Sequence, residues 1–141
     1  MSDAYRVELR TVDGGPMAVG WGGPFTLTVD RPASGGGRGL GFNGGQLLYL
    51  AIAGCISNDL YREAASRGIA LERVAVTVDG DFPGRGSVST PIAVDVELEG
   101  AASSADLGAL LDEVDEIAEI PNSLRRATEV ALRRREIVGR D

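Results

Sequence analysis

Few residues in this chain are able to do chemistry, and Cys55 stands first among them. It is the only cysteine in 141 residues. There is no histidine, and all fourteen basic residues are arginines. The missing histidine excludes Ser-His-Asp and Cys-His arrangements, HExxH sites and every histidine metal ligand. The missing lysine excludes Schiff-base chemistry and a P-loop lysine. A single cysteine makes neither an internal disulfide nor a cysteine-based zinc site, and its use points to a reducing compartment.

A thiol attacks as its anion, so the surroundings of Cys55 decide what it can do. It lies in an apolar run, Leu47 to Ile56. That run predicts a fully buried half-helix, and an apolar wall disfavours a thiolate. On a helix Cys55 shares a face with Leu48, Ala51, Ile52, Asn58, Asp59 and Arg62. Asp59, one turn on, opposes a thiolate unless Arg62 neutralises it. Cys55 is also too far along the helix to gain from the N-terminal dipole. A cation from elsewhere is then required. The remaining polar candidates each have a plain structural alternative. Asn58 and Asp59 line a pocket or anchor a dimer. Glu119, Asn122 and Arg125 line the same pocket or cap a helix end. Arg133 to Arg135 read as a solvated strand edge. Asp112, Glu113, Asp115 and Glu116 form an acidic helix face without metal-ligand spacing, so neither a metal nor a cofactor is expected.

The elements that must position these groups follow from pattern. Tyr5 to Val12, Met17 to Trp21 and Phe25 to Val29 read as a three-stranded meander, broken at Asp13–Pro16 and Gly22–Pro24. Arg31 to Gly45 carries seven glycines and is too long for a turn; loops of that length are often functional. A helix follows from about Gly45 to Arg67, with Gly68 as its C-cap. Leu71 to Asp81 and Ile92 to Leu98 alternate as strands. Ser103 or Ser104 caps a second helix ending near Ile117, a helical turn follows Pro121, and Thr128 to Val138 reads as a last strand. There is no linker and no repeat, so residues 1–141 are expected to form one α+β domain. A helix apolar all round needs cover on every side, which predicts a second helix or a partner subunit over it.

The formal net charge of −7 argues against nucleic acid as a partner. The longest apolar run is about half a membrane span, and residues 1–6 lack a signal-peptide pattern. A soluble cytoplasmic protein is expected.

The stretch Gly41 to Cys55, its polar continuation, Arg67-Gly68-Ile69 and the valine-rich strand after it resemble the OsmC/Ohr superfamily, as does Ala118 to Arg125. With the element order, the resemblance covers nearly the whole chain. It implies antiparallel sheets packed around two central helices in an intertwined homodimer. It also implies thiol-dependent reduction of organic hydroperoxides. Residue by residue, the peroxidatic cysteine of the family matches Cys55. The loop arginine that holds the thiolate matches Arg38 best and Arg31 second. The resolving cysteine falls at Ile120. The active-site glutamate falls at Gly45, with Gln46 its nearest polar neighbour. The resemblance therefore implies a divergent branch. Two functions follow from it. One is a one-cysteine thiol peroxidase, with Cys55 and Arg38 at its centre and an external thiol as reductant. The other is a non-catalytic dimeric module that binds a small apolar ligand.

Overall fold

The computed structural model describes residues 5–133 and 136–140. They gather into two compact units, residues 1–54 with 76–96 and residues 55–75 with 97–141. The chain passes between the units within its longest helix and within two of its strands.

The first unit opens with an antiparallel meander. Strands β1 (Glu8–Thr11), β2 (Ala18–Gly22) and β3 (Phe25–Val29) pair in sequence order, with Glu8 opposite Trp21 and Ala18 opposite Val29. The first turn places both Asp13 (φ 55°) and Gly14 (φ 65°) in the left-handed region. Aspartate tolerates that conformation better than most residues, and glycine adopts it freely. β1 is shorter than the alternation predicted. Tyr5 and Val7 precede it and are 96% and 80% exposed, so their apolar alternation has no cover within the described chain. One face of the meander instead borders a cavity of about 380 Å³ lined by Val7, Leu9, Trp21, Phe25, Leu27 and Leu47.

Helix α1 (Gly44–Ser66) follows. Its start is a reciprocal capping box. The Gln46 amide donates to Asn43 Oδ1 at 2.9 Å, and the Asn43 amide donates to Gln46 Oε1 at 3.0 Å. Two otherwise unpaired donors are thereby satisfied. Its end lies in the second unit. Gly68 at φ 67° lets Ile69 N–H reach the Ala64 carbonyl and Gly68 N–H reach that of Ala65, which closes a Schellman motif. Ile52, Ile56, Leu60 and Ala64 are buried. Their spacing by four marks the covered stripe of α1. Leu50 and Tyr61 remain about half exposed, so the apolar half of α1 is covered only in part by its own chain.

Strands β4 (Leu71–Asp79) and β5 (Ala93–Gly100) form a two-stranded sheet. In the second unit Arg73 pairs with Glu97 at 2.6 Å and Glu99 at 3.5 Å, and Ala101 N–H donates to the Ala70 carbonyl. The reversed numbering is that of an antiparallel pair. Helix α2 (Ser104–Ile117) starts where the Ser103 hydroxyl accepts from Asp106 N–H. Ala118 ends α2 and begins α3 (Glu119–Arg125). Pro121 therefore sits inside the first turn of α3, where its missing N–H costs nothing, rather than ahead of it as the sequence suggested. The expected last strand is absent. Residues 128–133 and 136–140 have no regular structure, and Val130 and Val138 are 95% and 89% exposed. An alternating segment forms a strand only against a partner edge, and the described residues of this one join neither sheet. Arg134 and Arg135 of the basic run lie outside the described residues.

Two sheets and three helices make an α+β architecture, as expected. The second unit's core rests on Leu60, Leu110 and Val114, each with no exposed surface. Leu60→Ala is expected to lower stability by about 2–5 kcal/mol, read as a shifted midpoint in a urea melt with unchanged slope.

Candidate functional site

Cys55 is the twelfth residue of α1 and is neither fully buried nor exposed. Its sulfur lies 4.0 Å from Asp59 Oδ2, within reach of a long S–H···O contact. The i,i+4 spacing on a helix brings the two side chains together. Asp59 is only 7% exposed. Its other oxygen, Oδ1, is held at 3.1 Å by Arg62 Nη1. Arg62 in turn donates from Nε to Glu63 Oε1 at 3.1 Å. The Glu63 hydrogen bond, and after it the charges of Asp59, Glu63 and Glu119, raise Arg62 above its ordinary value, so it stays cationic at any physiological pH. The local sum is one guanidinium among three carboxylates. A thiolate at Cys55 would face the Asp59 carboxylate at 4.0 Å. The Cys55 sulfhydryl is placed as a donor to Asp59.

Of the residues expected to act, the second unit thus brings together Cys55, Asp59 and, through Arg62, Glu119. Asn58 is exposed on α1. Asn122 has a structural task. Its amide donates to the Glu116 carbonyl at 2.8 Å, and its Oδ1 accepts from Arg125 at 3.1 Å, which binds α3 to the end of α2. Arg125 adds contacts to the Asp115 carbonyl and carboxylate. Ile120, in place of the second cysteine, is 38% exposed.

Gln46 and Arg38 belong to the first unit. Gln46 caps α1 and borders a smaller cavity of about 270 Å³ with Phe42, Tyr49, Leu50 and the strand residues Val76 and Val78. Arg38 sits in the glycine-rich loop, and that loop is built around one carboxylate. Asp30, 2% exposed, accepts from the backbone N–H groups of Arg31 at 2.7 Å and of Arg38 and Leu40 at 3.1 Å each. Gly37 packs so closely on Arg31 and Asp30 that a Cβ there would collide with backbone. The segment then returns to β3, where Phe42 N–H donates to the Thr28 carbonyl and Asp30 N–H to that of Phe42. Glycine here serves close packing rather than phosphate binding.

Sequence reasoning missed Asp30, although an aspartate at the mouth of a glycine-rich loop is a recognisable organiser of backbone N–H groups. It also missed an aromatic pair. Phe82 stacks on Tyr49 with ring centroids 5.8 Å apart, and the Tyr49 hydroxyl meets Ser89 Oγ at 2.7 Å. Ser89 spends its own hydrogen on the Thr90 carbonyl, so Tyr49 is the donor in that pair. A Cβ on Gly45 would stand 3.0 Å from the Phe82 ring. Phe82 therefore takes the space into which a glutamate at position 45 would grow. Among the described residues no cluster of three acidic or cysteine side chains is placed to hold a metal.

The fold is α+β, and its single cysteine rides the middle of the longest helix. The family model described as OsmC-like protein matches residues 35–133, and the chain belongs to that family. Its fold is similar to that of an OsmC-like protein from Mycoplasma pneumoniae, at 18% identity over 89% of each chain with a TM-score of 0.75. It is also similar to an organic hydroperoxide resistance protein OsmC from Legionella pneumophila, at 20% identity over 87% of this chain and 90% of that one with a TM-score of 0.64. The organic hydroperoxide resistance protein OhrB of Bacillus subtilis gives 18% identity over 87% and 91%, with a TM-score of 0.59. No curated protein matches the chain by sequence.

The Asp30 clamp gives a pH-dependent prediction. The N–H bond from Leu40, followed by those from Arg31 and Arg38 and the charge of Arg38, outweighs burial and holds its carboxyl below the ordinary value. A lowered native pKa stabilises the fold above the unfolded value of about 3.9 and loses that contribution as pH falls through the native one. Asp30→Asn should therefore be less stable than wild type at neutral pH, and the gap should close below about pH 4. Thermal melts of both proteins across that range check it.

Proposed function

We propose that this OsmC-like chain is a thiol-dependent redox protein that reduces organic hydroperoxides through Cys55 alone. The observation that carries the reading is the placement of Cys55, in the middle of the family's central helix, partly exposed and paired with a buried carboxylate. The names of its structural neighbours, two of them organic hydroperoxide resistance proteins, support the substrate class. The attack would convert the thiol to a sulfenic acid. With Ile120 at the second position the chain offers no internal thiol to resolve it, so an external thiol completes the cycle. Arg38 remains the loop cation proposed to assist the thiolate. A single unpaired cysteine supports a reducing, cytoplasmic setting, and among the described residues no helix is long and apolar enough to cross a membrane.

The reading includes a homodimer. Leu50 on α1, Tyr5 and Val7 ahead of β1, and Val130, Leu132 and Val138 after α3 are all half or more exposed. So much apolar surface is unusual for a monomer, and the segment after α3 has the alternation of a strand without forming one in its described residues. Leu50→Arg is expected to shift the protein from dimer to monomer in analytical ultracentrifugation.

A second reading rests on the cavity beside the meander. At about 380 Å³ with an apolar lining it is large enough for a small ligand, which favours a binding module without catalysis. Hydroperoxide consumption with a thiol reductant separates the two readings. On the first, wild type turns over an alkyl hydroperoxide and Cys55→Ser falls to the uncatalysed rate. Equal background rates in both proteins would leave the binding module.

A further inference from the structure

We infer that Asp59 is a catalytic residue of this site, the group that takes the proton from the Cys55 thiol and returns it to the leaving alkoxide. The inference rests on the peroxidase reading above, from which Cys55 takes its role. What it adds comes from the division of labour at one buried carboxylate. Oδ1 of Asp59 is fixed by Arg62 at 3.1 Å, and Oδ2 is left facing the Cys55 sulfur at 4.0 Å. Arg62 cannot swing to the sulfur without abandoning Asp59 and Glu63, both at 3.1 Å. Three further charged groups bear on this pair. Arg62 and Glu63 lie on α1 itself, and Glu119 acts on Arg62 from α3. With histidine and lysine absent from the chain, a carboxylate is the acid–base group that remains next to the sulfur.

Peroxide reduction needs a proton twice. The thiol must lose one to attack, and the alkoxide must gain one to leave. A thiolate standing free beside Asp59 would meet like-charge repulsion. A proton handed to Asp59 as the S–O bond forms avoids that pair of charges. In the step, the Cys55 sulfur attacks the terminal oxygen of ROOH and supplies two electrons. The S–O bond forms and the O–O bond breaks. The thiol proton passes to Oδ2 and then to RO⁻, giving ROH, while the hydroxyl stays on sulfur as Cys–SOH. Cys–SH and ROOH thus become Cys–SOH and ROH with no other reactant. Arg62 is a positioning residue, since it orients Asp59 without touching the sulfur.

The test compares wild type, Asp59→Asn, Asp59→Glu and Cys55→Ser on two oxidants, cumene hydroperoxide and peracetic acid. The alkoxide of the first needs a proton to leave, whereas the carboxylate of the second does not. Asp59→Asn should reduce cumene hydroperoxide about 100-fold more slowly than wild type, a loss typical of a missing general acid–base group. With peracetic acid it should lose markedly less, since only the proton taken from the thiol is then at stake. Asp59→Glu, which restores the carboxylate, should recover part of the lost rate. A parallel loss on both oxidants, or an unchanged or faster rate on cumene hydroperoxide in Asp59→Asn, would overturn the role. An Asp59→Glu variant no better than Asp59→Asn would overturn it as well. If wild type itself matches Cys55→Ser on both oxidants, the peroxidase reading fails and this inference with it. Failure of the inference alone leaves wild type active.

Discussion

The organising constraint of this molecule is a helix that is apolar around its whole circumference where its only cysteine sits. Ten successive residues, Leu47 to Ile56, contain no charged side chain and no strong hydrogen-bonding group apart from the Tyr49 hydroxyl. Such a segment cannot present a polar face to water, so cover must come from other elements or another chain. The chain covers one stripe, Ile52, Ile56, Leu60 and Ala64, and leaves Leu50 half exposed. The polar chemistry of α1 is displaced to its two ends. At the start, Asn43 and Gln46 satisfy the free backbone donors. One turn past the apolar run, Asp59 and Arg62 form the first ion pair of the helix.

That displacement decides the character of the thiol. Cys55 lies at the boundary between the apolar run and the first carboxylate of α1, so its sulfur faces Asp59. A design that relies on a free thiolate would place a guanidinium at that distance. Here the guanidinium is one step removed and already engaged by two carboxylates. The neighbourhood therefore suits proton transfer through a carboxylate better than stabilisation of an anion. The loop arginine Arg38 is held by a separate device. Its backbone is fixed through Asp30, which binds the loop as a unit and leaves the guanidinium free of any structural duty toward that carboxylate beyond its charge.

Much of the architecture was legible from local pattern, and the failures have physical causes. The meander, both long helices and the Gly68 cap follow from alternation, from 3.6-residue periodicity and from the need for a left-handed residue. The segment after Thr128 alternates well, yet forms no strand, because alternation reports which face would be buried and not whether an edge is available to pair with. Cys55 and Asp59 were readable as neighbours from their spacing. Their link to Glu119 was not, since that arises when α3 is folded back against α2 by Asn122 and Arg125. Asp30, at the mouth of the glycine-rich loop, carried a signal, but its three partners did not, being backbone groups up to ten residues away.

Gly45, the departure from the family pattern at the start of α1, is tied to its packing neighbours. At position 45 a glutamate would meet the Phe82 ring, which is itself held against Tyr49. Tyr49 reaches Ser89 only because Gly80 has no side chain, since a Cβ there would overlap the phenol. Glycine at 45, phenylalanine at 82 and glycine at 80 thus form one packing solution, in which a side chain added at 45 or 80 must displace a ring. An aromatic pair and a neutral hydroxyl stand where the family's acid would enter. Among the described residues, the buried carboxylate beside the sulfur is Asp59, on the helix itself. A hydroperoxide reduction assisted by a carboxylate would then draw on the turn that follows the cysteine rather than on the first turn of α1.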